Sequence, residues 1–396
     1  MIRAGSGSGR ARDPVDAGLD AALAAQQRSG VTDPDLCLVF TTPAALPQAG
    51  SMLTVIHRAI GARVVLGLSG AGVLTERGEH EEVGDETAVA ALVLGSDTLR
   101  IRPFLVDETG GLGSAAGTVA GGRAIEARMD DALLVVLPDP VELAPDEVLQ
   151  GINEVGSRLR VVGAVGVGAP AFELYNSQVA RGAMVGFAVD GVEPVLGVAQ
   201  GCQPIGEPFV ITRGDGRVVR EIAGRPALDV LRQAIGELPD AERRLRAAGI
   251  FAGLAMDPAK SPLLRGDFLV RNLVNADHGS GVVAVADSIH VGQTIQFHIR
   301  DAQAAAEDLA TTLEAIAAAL GGRRPAFGLY FNCAGRGRGL YGAPDHDVRM
   351  IRARLGAFPL VGFFGNGEFA PLGPRNFFHT YTGVLVLFPQ TGEAAP

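Results

Sequence analysis

One order of elements recurs along this chain and limits what it can fold into. An apolar run of strand length leads to a helical segment, then to a second apolar run that ends on a glycine turn, then to further extended segments. Residues 36–40, 52–60 and 63–68 run into Ser69-Gly70-Ala71-Gly72, and residues 132–137, 145–159 and 160–165 run into Gly166-Val167-Gly168. Residues 327–331, a helix carrying Val348, Ile351 and Leu355, and residues 359–364 run into Gly365-Asn366-Gly367. This recurrence predicts an α/β (α+β) chain of duplicated strand-helix-strand units with mixed or antiparallel sheets, rather than one doubly wound parallel sheet. The 396 residues suffice for more than one core. The expected division is a flexible tail and short helix over 1–34, a domain over 35–245, and a second, pseudo-related domain over 246–390.

Local signals fill in the rest. Residues 1–12, MIRAGSGSGRAR, read as a disordered tail, and 101–106 as a strand beside 87–94. Residues 182–189 and 194–198 read as a hairpin through Asp190-Gly191, residues 200–206 as a loop, and the charged stretch 239–246 as a linker. Asp301 is placed to cap a helix with Ala305, Leu309, Leu313, Ile316 and Leu320 on one face, and Asp345 to cap the helix after it.

Composition excludes several classes of function. The net charge is −10 and no basic run is present, which argues against nucleic-acid partners. The three cysteines, Cys37, Cys202 and Cys333, are far apart and odd in number, so a reducing, cytoplasmic setting is expected rather than a disulfide framework. No paired-ligand spacing predicts a metal site, nothing calls for a cofactor, and no apolar run is long enough for a membrane span.

Polar groups gather at strand ends and turns in the closing third of the chain. Asn332, Cys333, Arg336, Arg338, Asn366, Glu368, His379 and Thr382 lie there, and such groups are costly to bury unless they meet one another or a ligand. Arg336 and Arg338, in a glycine-rich loop, are candidates for anion capture. Arg300 and Asp301 join a strand to a helix, where Arg300 can hold either a neighbouring carboxylate or a ligand carboxylate. Ser69 and Gly70 offer either turn chemistry or a ligand-facing loop, and Cys202 either a buried small side chain or a thiol facing a pocket. Cys333, Glu368 and His379, with Cys202 as another thiol, are the residue types of a thiol hydrolase, but sequence order does not fix their geometry.

Several motifs together resemble the FIST family, named for F-box and intracellular signal transduction proteins. They are DLCLVF at 35–40, VVLGLSGAGVL at 64–74, QGCQPIGEPFVIT at 200–212, FLVRNLV at 268–274, QFHIRDA at 296–302, FNCAGRG at 331–337, and GFFGNGEFAPLG followed by FFHTYT. The resemblance spans residues 35–388 and implies a sensory module that binds a small molecule such as an amino acid. In other members the module is fused to kinase, cyclase or F-box parts. The 34 residues before the first strand are too few for an F-box or a kinase, so a stand-alone receptor with a separate downstream signalling protein is expected. The resemblance carries no catalytic residues. A small-ligand sensor is therefore the leading expectation and an enzyme is not; a cysteine-dependent hydrolase or transferase, or a protein-interaction scaffold, are the alternatives.

Overall fold

The structure, a computed structural model, describes residues 1–81, 84–106, 133–139, 144–155, 159–238, 249–257 and 259–390. The linker expected at 239–246, and with it the boundary near 245, lies outside them. The chain is a mixed α/β protein with mixed and antiparallel sheets. It forms two compact units: Met1–Val198 with Leu309–Phe378 and Thr382–Pro396, and Ala199–Asp308 with His379–Tyr381.

The larger unit contains the recurrent order of elements three times. The first copy runs β1 (Ile2–Ala11), α1 (Pro14–Ser29), β2 (Leu36–Thr41), α2 (Ala49–Ile60), β3 (Val65–Ser69), the hairpin β4 (Gly72–Thr75) and β5 (Gly78–Glu81), and β6 (Thr87–Ser96). The second runs β7 (Arg100–Val106), β8 (Leu133–Pro138), α3 (Pro145–Val155), β9 (Arg160–Ala164), β10 (Glu173–Tyr175) with β11 (Gln178–Ala180), and β12 (Met184–Asp190). The third opens with β13 (Val195–Gln200), after which the smaller unit is inserted.

That insertion comprises β14 (Cys202–Asp215), β15 (Val218–Ile222), β16 (Arg225–Pro226), α4 (Ala227–Gly236), β17 (Ile250–Ala255), β18 (Phe268–Asp277), β19 (Val282–Val285) and β20 (Thr294–Arg300). Its strands form one seven-stranded sheet. Leu228 and Leu231 of α4 pack on that sheet against Ile205, Phe297 and Ile299.

The third copy then resumes. It continues through α5 (Ala302–Leu320), β21 (Pro325–Cys333), α6 (Arg338–Tyr341), α7 (His346–Leu355), β22 (Leu360–Gly365), β23 (Glu368–Leu372) with β24 (Arg375–His379), and β25 (Thr382–Pro389).

The copies interlock by exchanging hairpins. Their sheets run β1-β6-β2-β3-β10-β11, β7-β12-β8-β9-β23-β24 and β13-β25-β21-β22-β4-β5. Each copy therefore donates its hairpin to another copy's sheet. Within each sheet the two strands joined through a helix are parallel. At matching points a glycine lets the second strand lie against the first: a Cβ on Gly67, Gly163 or Gly362 would sit 1.7, 1.9 or 1.8 Å from the carbonyl oxygen of Val39, Val136 or Tyr330. Just beyond the second strands the backbones close a ring. Ala71 N–H donates to Phe364 O (2.8 Å), Val167 N–H to Ser69 O (2.9 Å), and Asn366 N–H to Val165 O (2.9 Å). One core is shared by all three sheets and includes Phe40, Leu68, Val135, Ala164, Phe331 and Phe363.

Several local expectations are corrected. Residues 1–12 are not a tail: Ile2–Ala11 pairs in antiparallel register with β6. Their glycines alternate with other residues, and Gly5, Gly7 and Gly9 lie so close to α1 that a Cβ would meet Ala25 O, Ala21 O and Ala17 O at 2.3, 2.2 and 2.1 Å. The glycine content that suggested disorder is a close approach between strand and helix. Residues 101–106 pair with β12, not with 87–94. The Asp190-Gly191 turn joins two sheets rather than a hairpin. The expected loop at 200–206 falls largely within β14, opposite β20. Asp301 does cap α5, accepting from Ala304 N–H at 2.8 Å. Asp345 does not cap α7 with its side chain, for it takes a left-handed conformation (φ 64°). Glu79 reaches over from β5 instead, accepting from the amides of Asp345 (2.8 Å) and Val348 (3.3 Å).

No helix among the described residues is long and apolar enough to cross a membrane.

Candidate functional site

The carboxyl end of β21 carries a buried polar cluster. Along the strand, Phe327, Leu329 and Phe331 face the shared core, so Tyr330 and Asn332 face the opposite side, toward α7. There Asp347, in the first turn of α7, accepts from Tyr330 OH (2.9 Å), Asn332 Nδ2 (3.2 Å) and Arg336 Nε (3.0 Å) on Oδ2. Its Oδ1 meets Arg336 Nη2 (3.3 Å) and His346 Nδ1 (3.1 Å). Arg336 Nη2 also donates to Tyr341 OH at 2.7 Å, and the Tyr341 ring stacks on His346.

The side chains of Arg336 and Asp347 are wholly buried. Burial pushes the Asp347 carboxyl up, but Arg336 and the hydrogen bonds from His346, Arg336 and Tyr330 outweigh it and hold the group well below the carboxylate range. Arg336 is correspondingly held charged: burial opposes the charge, and Asp347 prevails.

A second carboxyl lies on the core side of the same strand end. Glu368, at the start of β23, accepts from the hydroxyl (2.6 Å) and amide (3.2 Å) of Thr382 on Oε2. Burial raises it to about 8, against the lowering influence of Thr382, Arg336 and the Cys333 thiol. Three buried atoms of this region have no hydrogen-bond partner among the described residues: Arg336 Nη1, Asn332 Oδ1 and Glu368 Oε1. Asn332 Nδ2 is committed to a carboxylate, so its Oδ1 is an acceptor.

The expected site residues thus separate. Asn332, Cys333, Arg336, Glu368 and Thr382 come together at this strand end. Arg338 is exposed, with its backbone N–H donating to Glu81 (2.7 Å) and its carbonyl accepting from Gly342 N–H (2.9 Å), while Asn366 is exposed beside the backbone ring. Of the two candidates for anion capture, Arg336 is committed to Asp347 through two of its nitrogens and keeps Nη1 unmatched among the described residues, while Arg338 is exposed. Ser69 Oγ donates to Val167 O (3.0 Å) and accepts from Phe172 N–H (3.1 Å), and Gly70 N–H donates to Thr41 O, so both hold the turn together. Cys202, Arg300, Asp301 and His379 belong to the smaller unit, where Cys202 and Arg300 are cross-strand partners.

Sequence reasoning missed Glu79, Tyr330, Tyr341, His346 and Asp347. An aspartate two residues into a helix, with an arginine in the preceding loop, was the available signal. Glu79 has none, because its partners are 266 and 269 residues away. Burial, with Asp347 adding to it, pushes Glu79 up to about 7. Among the described residues, no group of His, Cys, Asp or Glu is arranged to hold a metal ion. A separate cleft of about 610 Å³, lined by Arg3, Arg324, Phe358 and Gln390 among others, contains none of the expected site residues.

Residues 35–225 match the FIST N domain and residues 227–371 the FIST C domain. Uncharacterized protein Rv0628c of Mycobacterium tuberculosis (strain ATCC 25618 / H37Rv) is 33% identical over 392 residues, covering 98% of this chain and 100% of that protein. Uncharacterized protein Mb0898c of Mycobacterium bovis (strain ATCC BAA-935 / AF2122/97) is 32% identical over 396 residues, covering 99% and 100%. A crystal structure of cyanuric acid hydrolase from A. caulinodans aligns with 99% of this chain and 100% of its own at 11% identity, with a TM-score of 0.37, too slight a likeness to bear on function. FIST domains are associated with signal transduction and small-ligand sensing. With the two domain models matched in order over most of its length, the chain belongs to the FIST family.

Proposed function

We propose that this protein is an intracellular sensor of a small zwitterionic metabolite, an amino acid or a close relative, bound at the end of β21. One observation carries the reading. Arg336 Nη1 and Glu368 Oε1 are buried, of opposite sign when ionised, within electrostatic reach of one another, and without a hydrogen-bond partner among the described residues. Buried polar atoms are rarely left so in folded proteins, and a ligand that fills both bonds removes the cost. Arg336 is fixed by Asp347 with one nitrogen unused, which suits a ligand carboxylate. Glu368 suits the amino group. The half-exposed Tyr341–His346 stack covers Arg336 and is the natural place for a downstream signalling protein to read occupancy.

The test is a thermal-shift screen of amino acids and related metabolites against the wild type and Glu368→Gln. A ligand present at about 100 times its Kd stabilises the fold by about 2.7 kcal/mol. The wild type is expected to show such a shift with at least one zwitterion and the variant to lose most of it. A screen without a stabiliser, or a shift of equal size in Glu368→Gln, refutes the proposal.

A further inference from the structure

The cleft lined by Arg3 and Arg324 lies where the first and third copies meet, within the larger unit. It is bordered by the start of β1, the last residue of α1, the entry to β21, the connection from α7 to β22, and the residue after β25. Prolines end the strand pairing here. β21 meets β25 through Pro325 and Pro389, with an irregular register, and the chain enters β22 through Pro359. A proline has no N–H to offer a neighbouring strand, so the ladders stop at this level and leave a gap. Pro325 and Cys333 are opposite ends of β21, and at about 3.3 Å per residue they lie about 26 Å apart. The cleft is therefore remote from Arg336 and Glu368.

Gln390 ties its walls together. The backbone N–H donates to Arg324 O (2.9 Å), and the side-chain Nε2 donates to Ile2 O (3.0 Å). One residue thus fixes the main chain at Arg324 and the main chain next to Arg3. The two guanidinium groups are left open. Both side chains are exposed, and neither has a hydrogen bond or an ion pair among the described residues. Arg3 feels Asp97, but that carboxylate is itself exposed and does not line the cleft. Among the described residues no acid lines it at all. Its apolar lining comes from the buried Ile2, Ala326 and Phe358 and the half-buried Leu355.

We infer that this cleft is a second ligand site, for a metabolite with an oxyanion head, phosphate or carboxylate, on an apolar body. Two cations held on fixed backbone without a counter-charge favour an anion between them. Planar guanidinium groups pair with either oxyanion through two parallel hydrogen bonds, so Arg3 and Arg324 take the head. The body lies against Phe358, Ala326 and Leu355. The volume, about 610 Å³, falls in the range of about 300–1,000 Å³ that takes a drug-sized molecule. No residue is shared with the sensor site, so either site can exist without the other.

The experiment is calorimetric titration of the full chain with 1-naphthyl phosphate, 1-naphthylacetate, the neutral 1-naphthaleneethanol and inorganic phosphate. At least one naphthyl anion is expected to bind about tenfold or more tightly than both the alcohol and inorganic phosphate, and the tighter anion identifies the head group. Arg3→Gln and Arg324→Gln should each weaken that binding about tenfold, and the double variant should bring it down to the level of the alcohol. Both side chains are exposed, so the urea unfolding midpoint should stay where it is. Equal binding of anions and alcohol, inorganic phosphate binding as tightly as the naphthyl anions, affinity that survives the double substitution, or no binding by any of the four overturns this second site. Each of those results leaves the amino-acid screen and its Glu368→Gln control to be judged separately.

Discussion

The buried glutamates make stability depend on pH in a direction opposite to that of an ordinary ion-paired carboxylate. Glu173 is the sharpest case: wholly buried, its carboxyl rises from 4.5 to about 9 through burial and then through Asp139. A carboxyl whose folded pKa is raised holds its proton in the native state after the unfolded chain has released it. The folded state then binds more protons across the window from about 4.5 to about 9, and stability falls as pH rises through it. The slope for one such group is about 1.4 kcal/mol per pH unit, so between about pH 6 and pH 8 Glu173 alone costs about 2.7 kcal/mol.

Glu173→Gln keeps the shape and removes the proton. Urea unfolding of wild type and variant across that range should show the variant gaining on the wild type by about 2–3 kcal/mol as the pH rises. Glu368, raised to about 8, leaves a residual slope in the variant that ends lower on the pH scale. Parallel pH profiles for the two proteins would refute the reasoning, for they would mean that Glu173 is ionised in the folded core or solvated there.

Two further perturbations test the packing that frames the site. Asp347→Asn leaves Arg336 charged and buried without its counter-ion, so unfolding free energy should drop by about 3–5 kcal/mol, and a loss below about 1 kcal/mol would show the pair to be dispensable. Gly7→Val forces a side chain against Ala21 O and should destabilise by about 2–3 kcal/mol in urea melts, while the exposed Arg3→Thr on the same strand changes stability by no more than about 0.5 kcal/mol; equal effects would mean that β1 is not held against α1.

Much of the architecture was legible because each strand-helix-strand unit announces itself by an apolar run, a helical stripe and a closing glycine. The hairpin exchange was not. Strands such as Gly72–Thr75 and Glu173–Tyr175 are too short to carry a period, and their partners are set by the geometry of distant strands. The first strand was hidden by its own composition, since Gly-Ser alternation reads as disorder unless an alanine-rich helix is known to lie against it. At the site, Asn332, Cys333, Arg336, Glu368 and Thr382 could be singled out because polar groups at strand ends stand out against apolar runs. Asp347 is an acid near a helix start and Glu79 one in a four-residue strand, and neither setting marks burial in the sequence. Glu173 sat in a stretch with no motif, and only the register of β10 against β3, opposite Leu68, reveals it as a buried acid.

The exchanged hairpins also dictate how the larger unit can be made. The sheet begun by the first copy is complete only when the second copy supplies β10 and β11; the second waits for β23 and β24, while the third takes in β4 and β5, synthesised long before. No copy released alone from the ribosome would own a finished sheet, and an excised copy would present raw strand edges to its neighbours. The third sheet is the one that needs the final strand, β25, and the smaller unit, spliced into one connection of the third copy, can be shaped by evolution without unpicking the weave.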